Sequence, residues 1–183
     1  MITKYFKRMA GGDPSPSRIS HHQIAWSWLG AFIGIFCVST AHNWLHIEVL
    51  DSLFLVGSFG ASAVLIYGAP HADFSQPRNL LGGHVISAII GISVYNYIPL
   101  NIELLSALAV SLSIVAMHYT VTLHPPGGAT ALIAVTGSDN IHELGYFYVV
   151  SPISIGAIIM LVVGLIMNNL SSNTNIRYPR YWL

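Results

Sequence analysis

The run His124-Pro125-Pro126-Gly127-Gly128-Ala129-Thr130 carries several features from which a ligand site can be built. Pro126 lacks an N–H and has a preset φ, so it suits the first turn of a helix. A proline also pushes its predecessor out of the helical region, which separates this segment from the helix before it. Gly127 and Gly128 bring no side chains, so a ligand can approach the backbone, and Thr130 adds a hydroxyl. A helix start offers free N–H groups and a positive dipole end, both of which favour an anion. The stretch Gly57-Ser58-Phe59-Gly60-Ala61-Ser62 offers the same parts earlier in the chain. The expected substrate site is therefore Gly60, Ala61 and Ser62 with His124, Gly127, Gly128, Ala129 and Thr130, at the starts of two short helices near Gly60 and Gly128. Small residues also let helices pack closely, and that plainer reading stands beside the first.

Arg78 and Asn79 precede a third apolar run, with His84 about one turn inside it, and His118 and His124 lie beside other such runs. Arg78 fits either an electrostatic role at a mouth or a plain anchor at the membrane surface. Ionisable groups inside a membrane are costly and often functional. Histidine changes charge near neutral pH, so proton coupling is chemically available, although a neutral ring bonded to a neighbouring helix serves as well. The set Arg78, Asn79, His84 and His118 is expected to act in gating or electrostatics. His42 and His46 have helical metal-ligand spacing but lack the intervening Glu of a zinc protease. Neither a metal nor another cofactor is expected. The acidic residues fall in predicted loops and Gly57-Ser58-Phe59-Gly60 is no nucleophile elbow, so an enzyme is not expected.

The elements that must hold these residues are membrane helices. The chain has 183 residues, of which 8% are charged and 54% hydrophobic. Soluble domains carry about 25% charged residues. Seven Lys/Arg balance seven Asp/Glu, so there is no basic stripe for nucleic acid. The single Cys37 excludes a disulfide framework. Four runs have the length and character of full spans: Ile24 to Ala41, Leu80 to Ile98, Leu104 to Val121 and Phe147 to Met167. Between them lie two shorter Gly-rich pieces, Ser52 to Gly68 and Pro126 to Thr136. If all six cross, every Lys and Arg, from Lys4, Lys7, Arg8 and Arg18 to Arg78, Arg177 and Arg180, falls on one side. The positive-inside rule makes that side cytoplasmic, with both termini on it. Four crossings with two re-entrant pieces keep the same termini. Trp26, Trp28, Trp44, Tyr95, Tyr97, Tyr146 and Tyr148 read as an interfacial belt.

Leu29 through His42 resembles Leu105 through His118, Gly60-Ala61-Ser62-Ala63 resembles Gly128-Ala129-Thr130-Ala131, and Ile86 through Ile90 resembles Ile155 through Ile159. Three segments per copy would invert the second copy, the arrangement that places a transporter's site where interrupted helices meet. The expected fold is an all-α, polytopic membrane protein. Residues 1–22 form a cytoplasmic segment, 23–170 one transmembrane domain and 171–183 a cytoplasmic tail. The two repeats cover about 24–98 and 103–168.

His124-Pro125-Pro126 with Gly128-Ala129 and Ala131-Leu132 resembles the motif that names the HPP family of integral membrane proteins. Gln76-Pro77-Arg78-Asn79, Gly83-His84 and Ser87-Ala88 are similar to its second signature, and the resemblance runs from about Trp26 to Met167. Gly127 stands where many relatives carry Ala, a mild departure. Plastid and cyanobacterial members are known as nitrite transporters, so the resemblance implies transport of a small anion such as nitrite. The expected function is a transporter or channel for a small monovalent anion. The alternative is a membrane sensor or assembly module that binds the anion without passing it. The expected partners are that anion, the lipid bilayer and a second copy in a homodimer. The expected location is a bacterial inner membrane.

Overall fold

The structure, a computed structural model, describes residues 6, 8–9, 14–45, 47, 49–171 and 177–183, the side chains at 49, 50, 53 and 54 excepted. Lys4, Lys7, His46 and Glu48 lie outside the described residues. Helix α1, His21–Trp44, starts on a capping box: the Ser20 hydroxyl accepts from Gln23 N at 3.2 Å, and Gln23 Oε1 accepts from Ser20 N at 3.3 Å. Helix α2, Val49–Ala63, runs on as a π turn, Val64–Gly68. A 3₁₀ turn, Asp73–Ser75, leads to α3, Pro77–Tyr97, which opens on a proline. Helix α4, Ile102–Tyr119, is capped by the Asn101 side chain, which accepts from Leu104 N at 3.0 Å. Then come α5, Pro125–Thr136, and the short α6, Asp139–Leu144. A wide-turn segment, Val149–Ser154, is broken at Ser151 (φ −133°, ψ 123°) ahead of Pro152 and feeds α7, Ile155–Leu170.

The fold is all-helical among the described residues, and four stretches are long and apolar enough to cross a bilayer: α1, α3, α4 and Val149–Leu170. Twelve-residue α5 reaches only about 18 Å, too short to span by itself. The expected division into four full and two short segments therefore holds. The burial pattern is that of a membrane protein. Trp28, Phe32 and Phe36 stack along the outside of α1, while Ser62, His84, His124 and Thr130 are fully buried. The expected helix start near Gly60 is not found. Gly60 lies deep within α2, because nothing between Val49 and Ala63 interrupts the hydrogen-bonded ladder.

Helix α3 packs on α4 and α5, α5 also packs on α4 and α2, and α1 packs on α2 and α7. Several small residues are spent on these contacts. The Tyr67 ring lies over Gly30 and Gly34, and its hydroxyl donates to the Met160 carbonyl at 3.2 Å. Asp51, expected in a loop, sits buried in the first turn of α2 and accepts from the Ser138 N–H (3.1 Å) and hydroxyl. The tail straps the turn before α3. Tyr178 Oη donates to the Ser75 carbonyl at 2.8 Å, and the Arg180 guanidinium donates to the His71 carbonyl at 2.9 Å and pairs with Asp73 at 3.5 Å.

Helix α4 ends in a Schellman motif: Thr122 N donates to the Met117 carbonyl at 2.9 Å and Val121 N to the His118 carbonyl at 3.2 Å. The residue that must turn left-handed is Val121, at φ 55°. A β-branched side chain is strained there, where glycine is the usual occupant. Val121→Gly is expected to stabilise the protein by about 1 kcal/mol, the relieved strain exceeding the added chain entropy. A rise in thermal midpoint in detergent checks this.

Candidate functional site

Where α2, α3 and α5 meet, five polar side chains form one buried chain of hydrogen bonds. Ser58 and Ser62 come from α2, one turn apart on one face, and His84 from α3. His124 is the N-cap residue of α5, held extended by Pro125, and Thr130 lies inside that helix. All five are at most 2% exposed.

The chain has a direction, fixed at one end by the Phe74 carbonyl. That oxygen can only accept, so the His124 Nδ1 beside it, at 2.7 Å, carries the hydrogen. A neutral His124 then has a bare Nε2, which takes the Ser62 hydroxyl hydrogen at 2.9 Å. The Ser62 oxygen is left to accept from His84 Nε2, also at 2.9 Å. His84 Nδ1, now bare, takes the Thr130 hydroxyl hydrogen at 2.7 Å. The Thr130 oxygen faces Ser58 Oγ at 3.1 Å, and Ser58 also reaches the Pro126 carbonyl at 3.0 Å. Every polar atom in the middle of the chain is satisfied with both histidines neutral. A buried network satisfied at every member is rigid and specific.

The Phe74 end borders a cavity of about 220 Å³ lined by Phe74, Arg78, Asn79, His118, Leu123 and Tyr181. The Arg78 guanidinium donates to the Thr120 carbonyl at 2.8 Å, and among the described residues it has no ion pair. Asn79 Nδ2 donates to the Leu123 carbonyl at 2.9 Å, which ties α3 to the approach to His124. Asp73 also lines this cavity but is engaged by Arg180. His118, exposed in the last turn of α4, lines the cavity as well.

The structure thus brings Ser62, His84, His124 and Thr130 together and places Arg78, Asn79 and His118 around a neighbouring cavity. The other expected residues lie elsewhere. Gly60 and Ala61 turn away from the network, Gly60 with nothing within 4 Å of a built Cβ and Ala61 exposed. Ala129 is half-buried. The expected row of free N–H groups at the α5 start is depleted. Pro125 and Pro126 have none, and Gly127 N donates to the His124 carbonyl at 2.8 Å. Gly127 is a packing device, since a Cβ there would lie 2.7 Å from both the Gly83 carbonyl oxygen and Ser87 Oγ. Gly128 is open by comparison, its nearest neighbour being Val110 Cγ1 at 3.7 Å. Gly127→Ala is therefore expected to cost about 1–3 kcal/mol by overpacking, and Gly128→Ala to cost little. Parallel thermal melts separate the two.

Ser58, outside the expected set, is the network's far end. Tyr148 is not a belt residue: it is fully buried and its hydroxyl donates to the Thr130 carbonyl at 3.1 Å. Phe74 contributes through its carbonyl alone, which no side-chain motif reveals.

Residues 16–179 match the family described as HPP, transmembrane region. A Dictyostelium discoideum protein described as a transmembrane protein is 44% identical over 182 residues, covering 98% of this chain and 57% of that protein. A second transmembrane protein of that organism is 43% identical over 189 residues, covering 99% of this chain and 64% of its own length. The chain thus spans less than two thirds of the length of these curated relatives. No solved structure matches it. With the family match over most of its length, four apolar spanning helices and a polar interior, the chain is an integral membrane protein of the HPP family.

Proposed function

We propose that this protein transports a small monovalent anion across its membrane, nitrite being the first substrate to test. The observation that carries the reading is the Ser58–Thr130–His84–Ser62–His124 chain, five O–H and N–H donors enclosed by three helices beside an Arg78-lined cavity. Neutral donors can hold a weakly basic anion without the tight binding of a buried full charge. In this closed arrangement the donors are spent on one another. An incoming anion takes them over by hydroxyl rotation, with Arg78 and Asn79 drawing it to the mouth. This replaces a site made of bare helix N-termini, since α2 does not start at Gly60 and α5 opens on two prolines.

The pairing of helices supports an internal repeat: α1 with α2 and α7 mirrors α4 with α5 and α3, and α2 meets α5 at the centre. We place 23–170 as one transmembrane domain with both termini and the turn before α3 in the cytoplasm. His71, Asn101 and Asn140 are exposed, so labels belong there in a Cys37→Ser background. Cytoplasmic labelling at His71 alone is expected, and labelling of His71 and Asn140 from one side overturns six crossings. The α2 face at Gly57, Gly60 and Ala61, exposed at Gly57 and Ala61 and half-buried at Gly60, is where a homodimer would close, read by detergent-corrected mass. The relatives come from an amoeba, so the fold is not confined to bacterial envelopes.

Purified protein in liposomes should take up nitrite faster than empty liposomes, with competition by other small anions ranking selectivity. Folded protein that binds nitrite without moving it would overturn transport in favour of a sensor.

A further inference from the structure

The directional hydrogen bonds carry a consequence beyond anion binding. We propose that Ser58, Thr130, His84, Ser62 and His124 form a proton relay, so that the anion crosses together with a proton. This rests on the transport reading above and adds the proton as a second substrate.

Each link is 2.7–3.1 Å; Thr130, His84, Ser62 and His124 can each donate and accept along it, and Ser58, whose hydroxyl rests on the Pro126 carbonyl at 3.0 Å, turns its hydrogen to Thr130 to begin the chain. Ser58 is the station nearest the Asp51 end of α2, and His124 reaches the Phe74 turn at the cavity. A proton arriving on the Ser58 oxygen forms a new O–H bond there. The original Ser58 hydrogen passes to Thr130, and that of Thr130 to His84 Nδ1. The His84 Nε2 hydrogen passes to Ser62, and that of Ser62 to His124 Nε2. His124 then releases its Nδ1 hydrogen into the cavity. One proton enters and one leaves, and nothing is oxidised or reduced.

After the transfer His124 holds its hydrogen on Nε2, and its bare Nδ1 faces the Phe74 carbonyl. Two acceptors 2.7 Å apart repel, so the shifted state requires the Phe74 turn to move away or water to intervene. Proton release is thereby tied to motion of a segment that lines the mouth. The relay resets when the hydroxyls rotate and each ring, reached by water once the Phe74 turn has moved, takes a proton on its bare nitrogen and gives up the one on the other.

The chain's charged surroundings leave it free to do this. From α2, Asp51 is engaged by Ser138; from α3, Arg78 bonds the Thr120 carbonyl; from α4, His118 is exposed. Asp73 and Arg180 pair with each other, and Tyr181 lines the cavity. On the other sides Tyr148 bonds the Thr130 carbonyl, His142 of α6 lies near the Val135 carbonyl, and His42 of α1 meets the site only through the Phe59 ring. No carboxylate among them bonds either relay histidine.

The test uses the full chain in liposomes holding a pH-sensitive dye, with an inward nitrite gradient at equal pH. Lumenal acidification in step with nitrite uptake, above empty liposomes, is expected, as is uphill nitrite accumulation driven by an imposed pH gradient. Nitrite uptake that builds a membrane potential without moving protons overturns the relay and leaves the transport reading standing. Absence of nitrite uptake by folded protein overturns both. Thr130→Val, nearly isosteric, should lower the proton-to-nitrite ratio at least about tenfold, and Thr130→Ser should restore it. An unchanged ratio in a folded Thr130→Val protein also counts against the relay.

Discussion

Ser62→Ala is expected to reduce nitrite flux at least about tenfold, or ~1.4 kcal/mol in barrier, in protein that still inserts and folds. The loss comes from position, because among the described residues the Ser62 hydroxyl is the one group hydrogen-bonded to both histidines, at 2.9 Å each. Its removal leaves His84 Nε2 with a hydrogen and no acceptor, and His124 Nε2 with a lone pair and no donor. An orphaned buried polar group costs about 1–3 kcal/mol. The space vacated by a hydroxyl is too small for a water to repair both bonds. A lowered thermal midpoint should therefore accompany the lost flux. Ser58→Ala should be milder on stability, since Thr130 keeps its hydrogen bond to His84 and the Pro126 carbonyl loses one donor only. Flux is measured per folded protein, with the folded fraction read by size-exclusion profile and melt. Wild-type flux in folded Ser62→Ala would remove the buried chain from the pathway.

Much of this arrangement is legible in the sequence, and the limits have physical causes. Hydropathy finds the four spans because bilayer thickness imposes a length on any crossing helix. Pro125 opens α5 where the double proline predicts, since a missing N–H costs nothing in a first turn. Glycines are the ambiguous letters. By sequence Gly127 is as open to a ligand as Gly128, yet one abuts Gly83 and the other looks onto Val110. A glycine marks a close approach without naming what approaches. The break assigned near Gly60 fails for a related reason: a glycine inside a membrane helix weakens it too little to end it. Ser58 and Phe74 stay hidden because their roles depend on partners 72 and 50 residues away along the chain.

The second large effect is expected on the opposite side of His84. The Phe59 ring is fully buried, 5.0 Å between centroids from His84 and 6.1 Å from His42. It fits because residue 156 of α7 has no side chain: a Cβ there would come within 2.5 Å of Phe59 Cε2. Gly156→Ala must shift α7, the ring, or both, and the nearer aromatic neighbour of the ring is His84, at 5.0 Å against 6.1 Å for His42. Overpacking of this kind costs about 1–3 kcal/mol. The distortion should reach the Ser62 and Thr130 bonds of His84, so flux falls with stability. Phe59→Leu alone should lose packing against the histidines. The combination Phe59→Leu with Gly156→Ala should be better than the sum of its parts, because the shorter side chain makes room for the new methyl. A double-mutant cycle on thermal midpoints should give a favourable coupling of about 1 kcal/mol or more. Flux should recover in the double variant relative to Gly156→Ala. Strict additivity would mean that α7 moves away as a body and the ring never presses on His84.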